Sequence, residues 1–374
     1  MDLQVTIQID GADTFVGTLF TKAKRGSETA TFTYDAEYLA RRDAFPLAPD
    51  MPLTAGPLHA RGMFAVFADA MPDRWGRNLL MRGEARRAAA AGGTPRTLLE
   101  ADYLAGVSDE TRQGALRFWL DGKPVAPLSN GVPRETSIAK LLGESYLLEE
   151  DDAADIHDLL SAGSSLGGAR PKASIIDESG KLAIAKFPKK DESLLDDTCA
   201  WEHVALRLAE RAGVVVPASR VFRVDRKAVL LVERFDRNCG KRIPYMRALT
   251  AIQGKDGGSF SYLEVVDFLE QFGSRPGVDI PQLWLRILFS CLIGNTDDHM
   301  RNHGFLWDGQ GWRLSPAFDI NPTQGSGMKF LSSAIDLDDC SATVENAMRN
   351  ADYYRVSGSR AKEALAQAKS ALSG

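Results

Sequence analysis

The chain has 374 residues, 44% of them hydrophobic, with 45 basic against 50 acidic side chains and a formal net charge of −5. This length supports two or three domains with real cores, and the acidic balance excludes nucleic-acid binding through global charge, leaving only a local basic patch. Four cysteines, Cys199, Cys239, Cys291 and Cys340, fall in no CxxC or CxxH pairing, so neither a zinc site nor a disulfide framework is indicated, and reduced thiols in a cytoplasmic protein are the simpler reading.

Leu3, Val5, Ile7 and Ile9 alternate with polar residues, Asp10-Gly11 turns, and Phe15 to Leu19 continues, which predicts a first hairpin. The same alternation, without a basic stretch followed by an apolar one, reads as no signal peptide. Thr29 to Tyr34 is a further strand candidate. Phe64, Phe67, Ala68, Met71, Trp75, Leu79 and Leu80 then fit a helical stripe interrupted at Pro72. Met71 to Arg77 reads either as a docking segment or as a helix start with Asp73 near its N-terminus, and the residues favour the helix start. Gly92-Gly93-Thr94-Pro95 breaks the Ala- and Arg-rich run that follows. Leu116 to Leu120 precedes the turn Asp121-Gly122, and Pro124, Pro127 and Pro133 give this region the composition of a linker.

A new unit is expected near Ser137, with an acidic helix ending at Leu159-Leu160. The chain next reads SAGSSLGGARPK, residues 161–172. Small residues let backbone N–H groups approach phosphates closely, and Lys172 adds a point charge. By itself such a run is equally a plain hairpin turn. Two strands follow around Glu178-Ser179-Gly180, and the second delivers Lys186, either a phosphate-binding cation or an edge-blunting lysine. The helix from Cys199 to Ala212 offers Glu202 as an ion-pair partner for Lys186 or as a solvated acid. Val214 to Pro217, Arg220 to Val224 and Val229 to Val232 read as strands, the last running into ERFDR and the turn Asn238-Cys239-Gly240. A strand turning into a linker before a helical half is how a two-lobed kinase makes its hinge.

Ser261 to Phe272 and Pro281 to Ile293 have helical periodicity and lead to GNTDDHMRN, residues 294–302. Asp297 stands five positions before Asn302, and Asp319 follows a hairpin formed by Gly304 to Trp307 and Trp312 to Leu314. Phosphoryl transfer needs this order: a carboxylate that orients a hydroxyl, then an amide and a second carboxylate that hold Mg²⁺ on nucleotide phosphates. The alternative is a polar surface loop. No apolar run reaches the length of a membrane span, since even LWLRILFSCLIGN is short and carries Arg286. The tail from Ser341 to Leu372 is helical in propensity.

SSLGGARPK, Lys186, LLVERFDR, LIGNTDDHMRNHGF and LSPAFDINP together resemble the successive motifs of the HipA family of toxin kinases from bacterial toxin–antitoxin modules, and MFAVFADAMPDRWGRNLL is similar to that family's first domain. The resemblance implies an α+β, bilobal protein-kinase-like fold with an additional N-terminal α+β domain and a mostly helical C-terminal lobe. It divides the chain into 1–136, an N-terminal HipA-type domain, 137–240, the N-lobe-like region, and 241–374, the helical lobe. It implies ATP- and Mg²⁺-dependent phosphorylation of a serine or threonine hydroxyl. Asp297 would be the catalytic base, and Asn302 and Asp319 the Mg²⁺ ligands. Ser165, Gly167, Gly168, Lys172 and Lys186 would meet the phosphates, Val232, Glu233 and Phe235 would supply the adenine hinge, and Asp236 would contact the sugar. Autophosphorylation would fall on Ser165 or its neighbour Ser164. The implied partners are a helix-turn-helix antitoxin of HipB type and a translation component such as an aminoacyl-tRNA synthetase, with DNA reached mainly through the antitoxin. Two rivals remain, a small-molecule kinase with the same lobes and a catalytically silent nucleotide-binding relative.

Overall fold

The computed structural model describes residues 1–24, 26–128, 131–150, 157–163, 165–166, 168, 170–193, 196–323, 325 and 327–373. The chain forms two compact units, one of Met1–Asp197 with Phe222–Pro244 and one of Thr198–Val221 with Tyr245–Gly374.

In the first unit, strands β1 (Asp2–Ile9), β2 (Ala12–Lys24) and β3 (Ser27–Tyr34) precede the single turn α1 (Ala36–Leu39), β4 (Pro57–Arg61), α2 (Ala65–Asp69), α3 (Arg74–Ala90), α4 (Glu100–Gly106), β5 (Leu116–Leu120) and β6 (Lys123–Pro124). The strands make one antiparallel sheet in the order β4-β3-β2-β1-β5-β6. Leu3, Val5 and Ile7 are buried on one face of β1, as their alternation predicts. That face carries an aromatic cluster in which Phe67 meets Phe32 and Phe118 edge to face, at 5.3 and 5.7 Å.

The region expected to be a linker is different. Leu116–Leu120 pairs directly with β1, and Phe118 is fully buried. The prolines that suggested a linker lie beyond this central strand, where Pro124 ends the edge pairing. The short elements β4 and α4 carried too few periodic residues to be read.

The same unit continues with α5 (Ile138–Glu150), α6 (His157–Gly163), β7 (Lys172–Ile176), β8 (Leu182–Lys186), β9 (Ser219–Val224) and β10 (Lys227–Glu233), then a small ribbon of β11 (Arg237–Asn238) and β12 (Lys241–Arg242). The second sheet runs β7-β8-β10-β9. Its core joins Ala173, Ile175, Ala183, Ala185, Val229 and Leu231 to Ile138 and Leu141 of α5, Leu159 of α6, and Trp75 and Leu79 of α3. Val214 to Pro217 is not a strand. Pro217 has no N–H to give a ladder, and the Val215 carbonyl instead accepts from Ala317 N at 2.8 Å.

The second unit holds α7 (Thr198–Arg211), β13 (Tyr245–Arg247), α8 (Ala248–Ala251), α9 (Tyr262–Phe272), α10 (Pro276–Ile293), β14 (Gly304–Trp307), β15 (Trp312–Leu314), α11 (Val344–Arg349) and α12 (Gly358–Ser373). Helix α9 starts on a capping box: Ser261 Oγ accepts from Leu263 N at 3.0 Å, and the Glu264 carboxylate accepts from Ser261 N at 2.9 Å. Helix α10 is the buried axis of the unit. It begins on Pro276 and ends on Gly294 at φ 68°, where the left-handed turn suits glycine and swings the chain into the loop beyond.

Candidate functional site

The loop leaving α10 places two adjacent carboxylates in opposite settings. Asp297 projects outward with its side chain 79% exposed, His299 Nε2 lying 3.9 Å from its Oδ1. Asp298 is buried. Its Oδ2 accepts from Tyr262 at 2.8 Å and Ser290 at 3.3 Å, and His303 Nε2 lies 2.9 Å from its Oδ1, a close polar contact rather than an aligned hydrogen bond. Burial opposes ionisation of Asp298, but His303 and the hydroxyl donors outweigh it and hold the carboxyl below its ordinary range. Burial, then Asp298, pushes Tyr262 well above the ordinary phenol value and the Cys291 thiol up to about 12.

Asn302 closes the loop. Its Nδ2 donates to the Asp297 carbonyl at 2.8 Å, which turns the amide oxygen toward any other partner. The hairpin then works as read from the sequence: Phe305 faces Leu314 and Trp307 faces Trp312, with the Asp308 carboxylate accepting from Gln310 N and Gly311 N in the turn. Ser315 N reaches back to Gly304 O at 2.8 Å. Asp319 follows in the left-handed region at φ 58°, a conformation that asparagine and aspartate tolerate better than other side chains. Its neighbours Phe318 and Ile320 line the same small cavity as Asn302, together with Arg286, Ser290, Asp298 and His303.

An amide oxygen and one carboxylate are a donor set that suits Mg²⁺, which keeps its remaining positions for water and phosphate oxygens. Among the described residues there is no group of three or more His, Cys, Asp or Glu side chains able to hold a metal unaided. Arg286, fully buried, has its pKa pulled down to about 10 by burial, against Asp298 and Asp279, and stays charged at neutral pH.

In the first unit, Lys172 and Lys186 are direct cross-strand partners and share one face of the β7–β8 pair. Gly168, at φ 79°, takes a conformation that favours glycine, and the Lys172 side chain ends against it, so that Nζ would lie 2.7 Å from an added Cβ. Trp75 pins this segment at two points, donating its backbone N to Gly168 O and its Nε1 to Lys172 O, both at 2.9 Å. The Asp73 carboxylate accepts from Gly168 N at 3.4 Å instead of capping α3. Met71 to Arg77 is therefore a helix start and a docking segment together. Ser165 is buried, and its Oγ has no hydrogen-bond partner among the described residues. Ser164 and Gly167 lie outside the described residues.

The hinge candidates end β10. Val232 and Glu233 pair with Ile184 and Ala183, and the Glu233 side chain holds Lys181 at 2.7 Å. Phe235 is half-buried beyond them. Asp236, the residue expected at the sugar, stands among arginines. It is buried, with Oδ1 accepting from Arg234 Nε at 2.7 Å and Oδ2 accepting from Arg234 Nη2, Arg237 Nη1 and Gly114 N at 2.5, 2.8 and 2.7 Å. Both oxygens are engaged, Oδ1 by Arg234 and Oδ2 by Arg234, Arg237 and Gly114. Burial works against ionisation here too, but the two arginines carry the carboxyl far below its ordinary range.

The model of the HipA-like C-terminal domain matches residues 164–373, and that of the HipA N-terminal domain matches 7–101. The chain belongs to the HipA family. It is similar to a putative kinase, Y4mE, of Sinorhizobium fredii, 25% identical over 340 residues that span 81% of this chain and 74% of that protein. A putative kinase of Haemophilus influenzae is 22% identical over 183 residues, 42% of this chain and 52% of its own. Among solved structures, the complex of Shewanella oneidensis HipA with HipB and operator DNA contains a match of TM-score 0.66 and 17% identity, covering 99% of this chain and 91% of that one.

This HipA chain has the bilobal, kinase-like α+β fold with an added N-terminal α+β domain. Among its described residues no helix is long and apolar enough to cross a membrane. Spacing in the sequence points to Asp297 and assigns no role to Asp298, Tyr262, Ser290 or His303. The adjacent acids and the histidine after Asn302 were the available signal, but burial is what separates their roles.

Proposed function

We propose that this HipA-family chain is a kinase that transfers the γ-phosphoryl group of ATP, with Mg²⁺, to a serine or threonine hydroxyl of a protein. The observation that carries the reading is the loop 294–302, where Asp297 projects outward while Asn302 shares a cavity with the neighbours of Asp319. Asp297 orients the acceptor hydroxyl and takes its proton as the phosphoryl group arrives. Asn302 and Asp319 hold Mg²⁺, which supplies charge neutralisation on the nucleotide phosphates when bound. Lys186 and Lys172 bind phosphate oxygens from their shared sheet face, and the backbone from Val232 to Phe235 meets the base. Alignment of groups already in place accounts for most of the rate, because little covalent work falls to a phosphotransfer enzyme.

In this reading residues 1–136 are the accessory domain, 137–240 the nucleotide-binding lobe and 241–374 the lobe carrying the base and metal ligands. The chain acts as the toxin of a module whose antitoxin is a HipB-type helix-turn-helix protein, which makes DNA contact indirect. The cellular acceptor is a translation component such as an aminoacyl-tRNA synthetase, and Ser165 or Ser164 is the site of autophosphorylation. Family membership supports the toxin role, and the names of the two relatives, both putative kinases, support the transfer reaction. The test is transfer from labelled ATP to a cytoplasmic extract resolved into proteins and metabolites. Label on a protein acceptor supports the reading, whereas label confined to metabolites, or bound nucleotide without transfer, replaces it.

A further inference from the structure

Asp297 is exposed, with His299 Nε2 3.9 Å from its Oδ1, and Asn302 is tied through its Nδ2 to the Asp297 carbonyl, while phosphoryl transfer is sensitive to the separation of their reactive atoms. Each is followed in sequence by a buried residue, Asp298 and His303, and these two touch at 2.9 Å. Asp298 is fastened to α9 by Tyr262, whose hydroxyl donates to Oδ2 at 2.8 Å and meets the Asp298 carbonyl at 3.1 Å, and to α10 by Ser290. The His303 ring stands edge-on to Tyr262 at 5.5 Å, and its carbonyl accepts from Ala248 N at 2.9 Å. Across the loop, Asn302 Nδ2 binds the Asp297 carbonyl. The base and the amide are thus the outer members of a small rigid frame whose inner members are Asp298 and His303.

We propose that Asp298 and His303 form a buried clip that sets the separation of Asp297 from Asn302, so that both are positioning residues for phosphoryl transfer. The proposal rests on the kinase reading above. It requires that loosening the clip change turnover and Mg²⁺ use before it changes nucleotide capture, which the kinase reading assigns to Lys172, Lys186 and the end of β10.

The test compares the full chain with Asp298→Asn, His303→Gln, the double variant and Tyr262→Phe, all at a temperature where thermal unfolding shows each variant folded. Displacement of a reacting group by about 1 Å costs on the order of 10²-fold. The Asp298→Asn and His303→Gln enzymes should each lose about that much in kcat, with ATP affinity in the absence of Mg²⁺ changed less than about threefold and the Mg²⁺ concentration for half-maximal rate raised. The double variant should be no worse than the poorer single one, as expected for two ends of one contact. Tyr262→Phe, which keeps the ring and removes one anchor, should fall between, and it decides the matter if the other variants do not fold. Wild-type turnover and Mg²⁺ dependence in the folded variants, or losses that simply multiply in the double variant, would overturn the proposal. Should the wild-type chain transfer no phosphate, the kinase reading fails separately. The clip is then judged on the gain in nucleotide affinity that Mg²⁺ brings: a smaller gain in the variants sustains it, and an unchanged gain overturns it.

Discussion

Asp236 and Asp298 are both buried carboxylates whose neighbours favour the ionised form, two arginines for Asp236 and His303 with two hydroxyl donors for Asp298, and neither is interchangeable with the exposed Asp297. Around Asp236 the balance is delicate. Burial lowers Arg237 to about 9, against the pull of Asp236, and the arginine is charged at neutral pH beside its counter-ion. Removing one partner of such a buried pair costs about 3–5 kcal/mol, because the other charge is left uncompensated. Asp236→Asn should therefore lose roughly that much stability near neutral pH, read from denaturant midpoints at constant m-value. The sign of the pH dependence follows from the direction of the shift. The folded carboxyl titrates below its unfolded value, so its contribution is complete above the ordinary carboxylate range and is lost as pH falls through the lower, folded value. The gap between wild type and variant should narrow on going from about pH 7 to about pH 3. A gap that widens in acid would show that the pair is not ionised as described. At this scale spacing alone picked out Asp297, Asn302 and Asp319, whereas the roles of Asp236 and Asp298 depend on burial against residues distant in sequence, which no local pattern encodes.

At the scale of elements, the Gly-rich segment is held by a helix from a distant part of the chain. Trp75 sits in the core beneath the second sheet and donates to Gly168 and to Lys172. Gly163, at the end of α6, passes so close that a Cβ would meet Leu79 at 2.7 Å and the Lys172 carbonyl at 2.9 Å. Trp75→Ala should cost about 3–5 kcal/mol, the range for deleting a buried aromatic side chain. Trp75→Phe should cost less, since it keeps most of the packing and gives up only the indole N–H bond. Equal losses for the two variants, measured by denaturant unfolding, would mean that the hydrogen bond rather than the packing holds the segment. The stripe from Phe64 to Leu80 and the hairpins at Leu3 to Leu19 and Gly304 to Leu314 were legible because their apolar residues recur with a clear period or flank a glycine turn. The strand at Leu116–Leu120 was hidden by the prolines after it, and Val214 to Pro217 imitated a strand because β-branched residues favour extended backbone whether or not a ladder partner exists. Met71 to Arg77 reads from the sequence as a docking segment of no stated target or as a helix start; α3 begins within it at Arg74, and its packing on the Gly-rich segment, 95 residues away at the Asp73 contact, is legible only in the structure.

For the whole molecule, membership of the HipA family fixes the fold and narrows the chemistry, while the acceptor is a property of surfaces that a sequence pattern does not describe. The five motifs were informative together because their order along the chain is the order in which a kinase uses its parts. The central claim is that Asp297 is the base of a phosphoryl transfer. It is tested most directly by incubating the purified chain with Mg²⁺ and labelled ATP beside an Asp297→Asn version and locating any phosphate by mass spectrometry. The account predicts label on Ser165 or Ser164 of the wild-type chain and a loss of about 10²-fold or more in the variant, with ATP still bound by both. Equal labelling of the two versions, or no label in either while both bind ATP, would contradict it.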